Sequence, residues 1–309
     1  MDLAQVTYGN LTQIAYDVNT LAGFLGRRGV PELTQDALAA RYAWRQADVM
    51  ALFGGSILAG GDVLAAAMRA GVARTYVIVG GAGHTTQTFR ERVRGLCPDL
   101  DFADDACEAD VFAAYLRTRN GLEADLLERR STNCGNNITY LRDLLVEHGV
   151  PCRTLILSQD ATMQLRMEAV CRHDWPEAEP VSFATYATRV VVKRRAADGS
   201  GCGDAISNGD AISGGDAGAD YTEQSSLADP LDTLAFDPEP LGMWTPRRYL
   251  TLLMGEIPRL TDDEHGYGPH GKDFLVHVDI PDEVMAAFDR LHAAFPDCVR
   301  AANPRFATR

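Results

Sequence analysis

Ten consecutive residues, Glu128-Arg129-Arg130-Ser131-Thr132-Asn133-Cys134-Gly135-Asn136-Asn137, concentrate the groups in this chain best suited to holding a polar ligand. They follow the apolar pair Leu126-Leu127 and precede an amphipathic stretch from Ile138 to Glu147, which sets a Ser-Thr-Asn cluster at a strand-to-helix junction. The first turn of a helix carries unpaired N–H groups and the positive end of the helix dipole. Hydroxyls and amides there either cap the helix or help to bind an anion. A second junction has the same design: Thr154-Leu155-Ile156-Leu157 runs into Ser158-Gln159-Asp160-Ala161-Thr162-Met163-Gln164-Leu165-Arg166. His84, with a reference pKa near neutrality, is the foremost candidate for moving a proton; hydrogen-bonding support is its alternative role. Glu108, Glu128 and Asp160 are candidate bases or cation ligands, and otherwise caps or salt-bridge partners. Arg166 is expected to clamp an anion. Cys134 reads as a small residue at a helix start rather than a nucleophile, and Met163 and Met167 as core.

The elements around these residues alternate. Residues 1–45 read as a helical segment, with Val18, Leu21, Ala22 and Leu25 at helical spacing and a second helix over Thr34 to Trp44. Buried strands are expected at Asp48–Phe53, Thr75–Val79, Asp125–Glu128, Thr154–Ser158 and Val181–Ala184, the first two ending in glycines. Helices are expected at Asp62–Ala70, Thr86–Arg94, Glu108–Arg117, Trp244–Met254 (closed by Gly255) and Asp282–Ala294, with a short strand at Phe274–Val278. Apolar strands alternating with amphipathic helices predict an α/β fold, a Rossmann-like doubly wound parallel sheet over residues 46–195. The N-terminal helical segment precedes it, and a C-terminal helical and strap extension, residues 241–309, is expected to pack on it. Ligands in such sheets sit beyond the carboxyl ends of the strands. The residues there are Gly54, Gly55 and Ser56; Gly80, Gly81, Gly83 and His84; Ser131, Thr132, Asn133 and Asn137; and Asp160, Thr162 and Arg166. Glycines at two strand ends are expected to let a ligand approach the backbone. His84, Glu108 and Asp160 are then the catalytic candidates and the others the ligand-binding ones. Tyr267, Pro269, Lys272 and Phe274 are expected to form a lid or a structural strap.

The chain has 309 residues, 46% of them hydrophobic, enough for a sizeable core. Its net charge of −14 argues against non-specific binding to nucleic acid. The acidity is local: ten acidic and no basic residues lie between Ala196 and Trp244. Near-repeats of Gly-Asp-Ala begin at Gly203, Gly209 and Gly215 in that block, which reads as an acidic low-complexity insertion, disordered over residues 196–240. Seven cysteines, none in a Cys-x-x-Cys pair, argue against a disulfide framework and a zinc site, and no metal site is expected. With no signal-like N-terminus and no stretch of membrane-spanning length, a cytoplasmic protein is expected. Nothing in the pattern specifies an oligomeric state.

Familiar nucleotide signatures are absent: Gly81-Ala82-Gly83 continues to Thr86 rather than a third glycine, and Gly61 stands where a phosphate-binding loop needs lysine. From the residues alone the ligand is a small polar molecule with an anionic part. Ser131-Thr132-Asn133-Cys134-Gly135 with Asn137, and Gln159-Asp160 with Thr162-Met163-Gln164 and Arg166, resemble the YdcF branch of a bacterial family that also contains SanA and ElyC. Val79-Gly80-Gly81-Ala82-Gly83-His84-Thr85, Cys107-Glu108-Ala109, Arg248-Tyr249-Leu250, Gly255 to Leu260, Gly266-Tyr267-Gly268-Pro269, Gly271-Lys272-Asp273-Phe274 and His277-Val278-Asp279 are similar as well. The resemblance covers nearly the whole chain outside residues 196–240. One departure is Asn136-Asn137, where the family has Glu-Asn. The resemblance implies binding of S-adenosylmethionine, with or without enzymatic use of it. The alternatives are a hydrolase or phosphotransferase acting on a phosphorylated or envelope-linked metabolite, and a non-catalytic sensor.

Overall fold

The computed structural model describes residues 8–55, 57–83, 86–193 and 229–299. The five strands at its centre follow the apolar runs of the sequence: β1 (Ala47–Phe53), β2 (Ala73–Val79), β3 (Leu126–Glu128), β4 (Thr154–Ser158) and β5 (Glu179–Ser182). All neighbours are parallel, in the order β3-β2-β1-β4-β5. This is the doubly wound α/β arrangement expected from the sequence. Side chains alternate across the sheet, so each strand feeds two cores. Val49, Ala51, Phe53, Val77, Val79, Leu155 and Leu157 point to one face, and Met50, Leu52, Ile78 and Ile156 to the other.

Helices cover both faces. On the second face lie α2 (Gln35–Tyr42), α3 (Ala59–Ala70), α4 (Thr86–Leu96) and α5 (Glu108–Asn120). The first face is covered by α1 (Tyr8–Leu25), α6 (Cys134–Glu147), α7 (Gln164–Asp174), α8 (Pro246–Leu260) and α9 (Asp282–Ala294). The first and last of these helices meet there: buried Asp17 of α1 accepts two hydrogen bonds from Arg290 of α9, at 2.6 and 3.0 Å. Among the described residues, no helix is long and apolar enough to cross a membrane.

Four local expectations are corrected. First, α8 starts later and ends later than the Trp244–Met254 expected. Thr245 caps it with Pro246 in its first turn, and it runs through Gly255 and Pro258 to Leu260. Leu253, Met254, Ile257 and Leu260 are fully buried along this span, and their burial outweighs the cost of an interior Gly and Pro. Second, β5 lies earlier than Val181–Ala184, because its register is set by β4, with Thr154 opposite Glu179 and Leu157 opposite Ser182. Third, Phe274–Val278 forms no strand. Its backbone bonds instead to Tyr267 and Ala169. Fourth, part of the block expected to be disordered is ordered. After a 3₁₀ turn at Pro230–Thr233, β7 (Leu234–Asp237) pairs antiparallel with β6 (Arg189–Val192). The rest of that block, residues 196–228, lies outside the described residues.

Candidate functional site

The sheet order reverses between β1 and β4, which makes this the switch point where open α/β sheets leave a crevice beyond the strand ends. A cavity of about 250 Å³ lies there. The candidates from five separate segments line it together: Gly54 and Gly55 after β1, Gly80 and Gly81 after β2, and Glu108 at the start of α5. Ser131, Thr132 and Asn133 join them between β3 and α6, Asn137 from the first turn of α6, Asp160 and Thr162 from the β4–α7 turn and Arg166 from the first turn of α7. His84 and Ser56 lie outside the described residues.

Two of the strand-end glycines, Gly54 and Gly81, do something other than admit a ligand. A Cβ on Gly54 would stand 2.5 Å from Glu108 Oε2, and one on Gly81 only 2.2 Å from the Ser131 carbonyl. The chain itself fills that space, and the close approach is between protein segments. Gly55 and Gly83 are the ones with room, their nearest atoms being 3.4 and 3.9 Å away.

At the first junction, capping accounts for most of the polar cluster. Asn133 Oδ1 accepts from Asn136 N at 3.0 Å, and Asn136 Oδ1 accepts from the N–H groups of Thr132 and Asn133 at 2.8 and 2.9 Å, a reciprocal capping box. Asn136 thus performs, as a neutral amide, the capping that a glutamate at this position would perform with a charge. Buried Glu128 accepts from the backbone N–H groups of Arg130 and Ser131, and the Ser131 hydroxyl accepts from Gly81 N at 3.3 Å. Both hold loops in place. Glu128 does not line the crevice. Asn137 differs: its side chain makes no hydrogen bond with a described residue and faces the cavity. Asn133→Ala is therefore expected to cost about 0.5–2 kcal/mol of stability. Asn137→Ala is expected to leave stability within about 0.5 kcal/mol. Urea unfolding of the two variants checks the contrast.

At the second junction, Asp160 Oδ1 accepts from Thr162 N, Thr162 Oγ1 and Tyr186 OH at 2.9, 2.8 and 2.7 Å. Burial raises the Asp160 carboxyl above its usual range and the Tyr186 phenol well above its own. Arg166 is not an open anion clamp. Its guanidinium makes a two-pronged pair with Glu256 of α8, at 2.5 and 3.0 Å, and its remaining nitrogen donates to Cys134 Sγ at 3.1 Å. Burial raises the pKa of the Cys134 thiol, so it is no thiolate nucleophile at neutral pH.

Glu108 is the group with the freest chemistry. It sits at the crevice floor between the ends of β1 and β2 and receives one hydrogen bond, from Thr86 Oγ1 at 3.2 Å. No cation pairs with it among the described residues, and burial pushes its pKa up to about 7. It can therefore hold or release a proton near neutrality.

The part of the facing wall that α8 and Trp244 supply was not foreseen. Arg248, Leu252, Glu256 and Arg259 of α8 line the crevice, with Trp244 before the helix and Tyr267 after it. Their spacing of four, four and three puts charged Arg248, Glu256 and Arg259 on one face of the helix with Leu252 between them, the signal that points to them. Of the expected lid, Tyr267 reaches the cavity, but the loop is bonded to itself as a strap. Phe274 N donates to Tyr267 O, Lys272 N to Gly266 O, and Tyr267 N to Arg259 O on the helix. Among the described residues, no three His, Cys, Asp or Glu side chains are grouped to hold a metal ion. No protein-family model matches the chain.

Proposed function

We propose that this chain is a YdcF-like protein that binds a nucleotide-like small molecule, S-adenosylmethionine, in the crevice at the β1/β4 switch point, and that it uses that ligand enzymatically. The observation that carries the reading is the convergence of the motif-bearing loops after β1, β2, β3 and β4 on one cavity. A site of about 250 Å³ is close to the lower end of the roughly 300–1,000 Å³ usual for small-molecule pockets, so a ligand of this size would fill it to the mouth. The lining suits the ligand's parts. The Trp244 and Tyr267 rings offer apolar faces for a purine, the Asn137 side chain and Gln159 offer amides, and Glu108 and Asp160 offer acceptors for a cation. Bound S-adenosylmethionine would supply an electrophilic methyl group. Glu108 would hold or take a proton beside it, and the α8 wall would keep water from it. A cytoplasmic location and the absence of a nucleic-acid partner are part of this reading, the latter in keeping with the net charge of −14.

A second reading, a hydrolase or phosphotransferase on a phosphorylated or envelope-linked metabolite, is favoured by one feature. Glu108 is a carboxyl with a pKa of about 7 at the crevice floor, suited to general acid–base work. The deciding measurements are mass spectrometry of ligands that co-purify with the folded protein and calorimetric titration with S-adenosylmethionine, AMP and ATP. Stoichiometric binding of S-adenosylmethionine at micromolar Kd is expected. Binding of AMP or ATP alone, or turnover of phosphoesters, would replace the first reading with the second.

A further inference from the structure

The charges lining the crevice fall into two groups once the internal pairs are set aside. Glu256 is neutralised by Arg166, which spends its N–H groups on Glu256 and Cys134. Two carboxyl groups remain at the floor. Glu108 has a hydroxyl as its hydrogen-bonding partner and no cation among the described residues, and Asp160, held by Thr162 and Tyr186, likewise pairs with no cation among them. Positive charge remains on the wall, on Arg259, which donates to the Gly255 carbonyl of its own helix, and on Arg248. Arg248 lies against the Trp244 ring, 5.6 Å from its centroid, and pairs with no carboxylate among the described residues. The buried Trp244 indole N–H stands beside Asp160 and favours its charged form without closing a full hydrogen bond.

Two desolvated carboxyl groups and a guanidinium with no carboxylate partner among the described residues face one cavity, and a ligand that compensates both gains from each. A ligand of single negative charge, such as a phosphomonoester, satisfies Arg248 and brings like charge towards Glu108 and Asp160. A ligand that carries a cation and an anion satisfies both sides. We propose that the crevice selects dipolar ligands, an α-amino-acid or sulfonium type of molecule, with the cationic group over Glu108 and Asp160 and the carboxylate on Arg248. Arg248, rather than Arg166, is then the residue that recognises the anion. This rests on the crevice being the ligand site proposed above, and it deepens that reading by naming which end of the ligand each wall holds. The elevated affinity of Glu108 for a proton fits the same polarity, because an incoming cation would displace that proton.

The test is calorimetric titration of the full chain with S-adenosylmethionine, decarboxylated S-adenosylmethionine, 5′-methylthioadenosine, methionine and AMP, repeated on Arg248→Gln and Glu108→Gln. Melting curves of each variant confirm folding. Removal of the carboxylate from S-adenosylmethionine is expected to weaken binding to the parent protein more than tenfold and to make little difference to Arg248→Gln. Glu108→Gln is expected to weaken the cationic ligands and not methylthioadenosine. Methionine binding with both dependences, in the absence of S-adenosylmethionine binding, would uphold the dipolar crevice and remove the nucleotide-like ligand. S-adenosylmethionine binding that is indifferent to both substitutions would keep the ligand and overturn the polarity proposed here. Tightest binding of AMP, or no binding by any of the five, would overturn both.

Discussion

Arg166→Ala is expected to destabilise the protein by about 3–5 kcal/mol, the usual loss when one member of a buried ion pair is removed. Both partners are largely shielded, with side chains 14% and 8% exposed, and the substitution leaves the Glu256 carboxylate inside the protein without its cation. It also takes away the donor to Cys134 Sγ, at the first turn of α6. The pair ties α7 to α8, and α8 carries the crevice wall, so the loss is expected to reach the site as well as the core. Urea unfolding of the single and the Arg166→Ala/Glu256→Ala double variant measures it. The double variant is expected to recover part of the loss, because no lone buried charge remains. A loss below about 1 kcal/mol in the single variant would mean that the pair behaves as a solvent-exposed one.

At pH 8, Glu108→Gln is expected to be more stable than the parent protein by about 2–3 kcal/mol, with the two close together at pH 5. The sign follows from the direction of the shift. Burial raises the Glu108 carboxyl from an ordinary 4.5 to about 7, so the folded protein keeps a proton that the unfolded chain has already released between those values. The stability this contributes is complete below about 4.5 and is lost as the pH rises through about 7, where the folded protein must hold a carboxylate with no cation beside it among the described residues. Glutamine is neutral throughout and escapes that loss. Urea unfolding of both proteins at pH 5, 6, 7 and 8 is the measurement, and two curves that run parallel across this range would show that Glu108 is solvated. The same carboxyl links fold to function. A site that destabilises its own charged residue is one in which a bound cation gains from meeting it.

Much of the architecture was legible in the sequence because it rests on short-range patterns. Asp48–Phe53 and Thr75–Val79 are apolar runs that end in glycines, and they became β1 and β2 with bounds shifted by one or two residues. Thr154–Ser158 and Asp282–Ala294 became β4 and α9 with the expected bounds. The polar clusters at the two strand-to-helix junctions were visible for the same reason. A parallel α/β sheet sends its strand ends to one edge, so naming the strands named the residues that share the crevice.

What each of those residues does was decided by partners far away in sequence. Asn133 and Asn136 close a capping box within four residues, and capping was the local alternative the sequence offered for them. Arg166 and Glu256 lie ninety residues apart, and no local pattern pairs them; the sequence therefore left Arg166 as an open anion clamp, and the tertiary structure closed it. The glycines after β1 and β2 make room for Glu108 and for the Ser131 carbonyl, atoms that reach them only when the sheet is assembled. The antiparallel pairing of β6 with β7 joins a segment before the acidic block to one inside it. The continuation of α8 through Gly255 and Pro258 depends on burial against the rest of the fold. By itself, the sequence determined where strands, helices and their polar ends lie, because backbone periodicity and turn chemistry act over a few residues. Only the tertiary structure decided which charges are spent internally and which face the crevice, because charge pairing and desolvation depend on what long-range packing brings within a few ångströms.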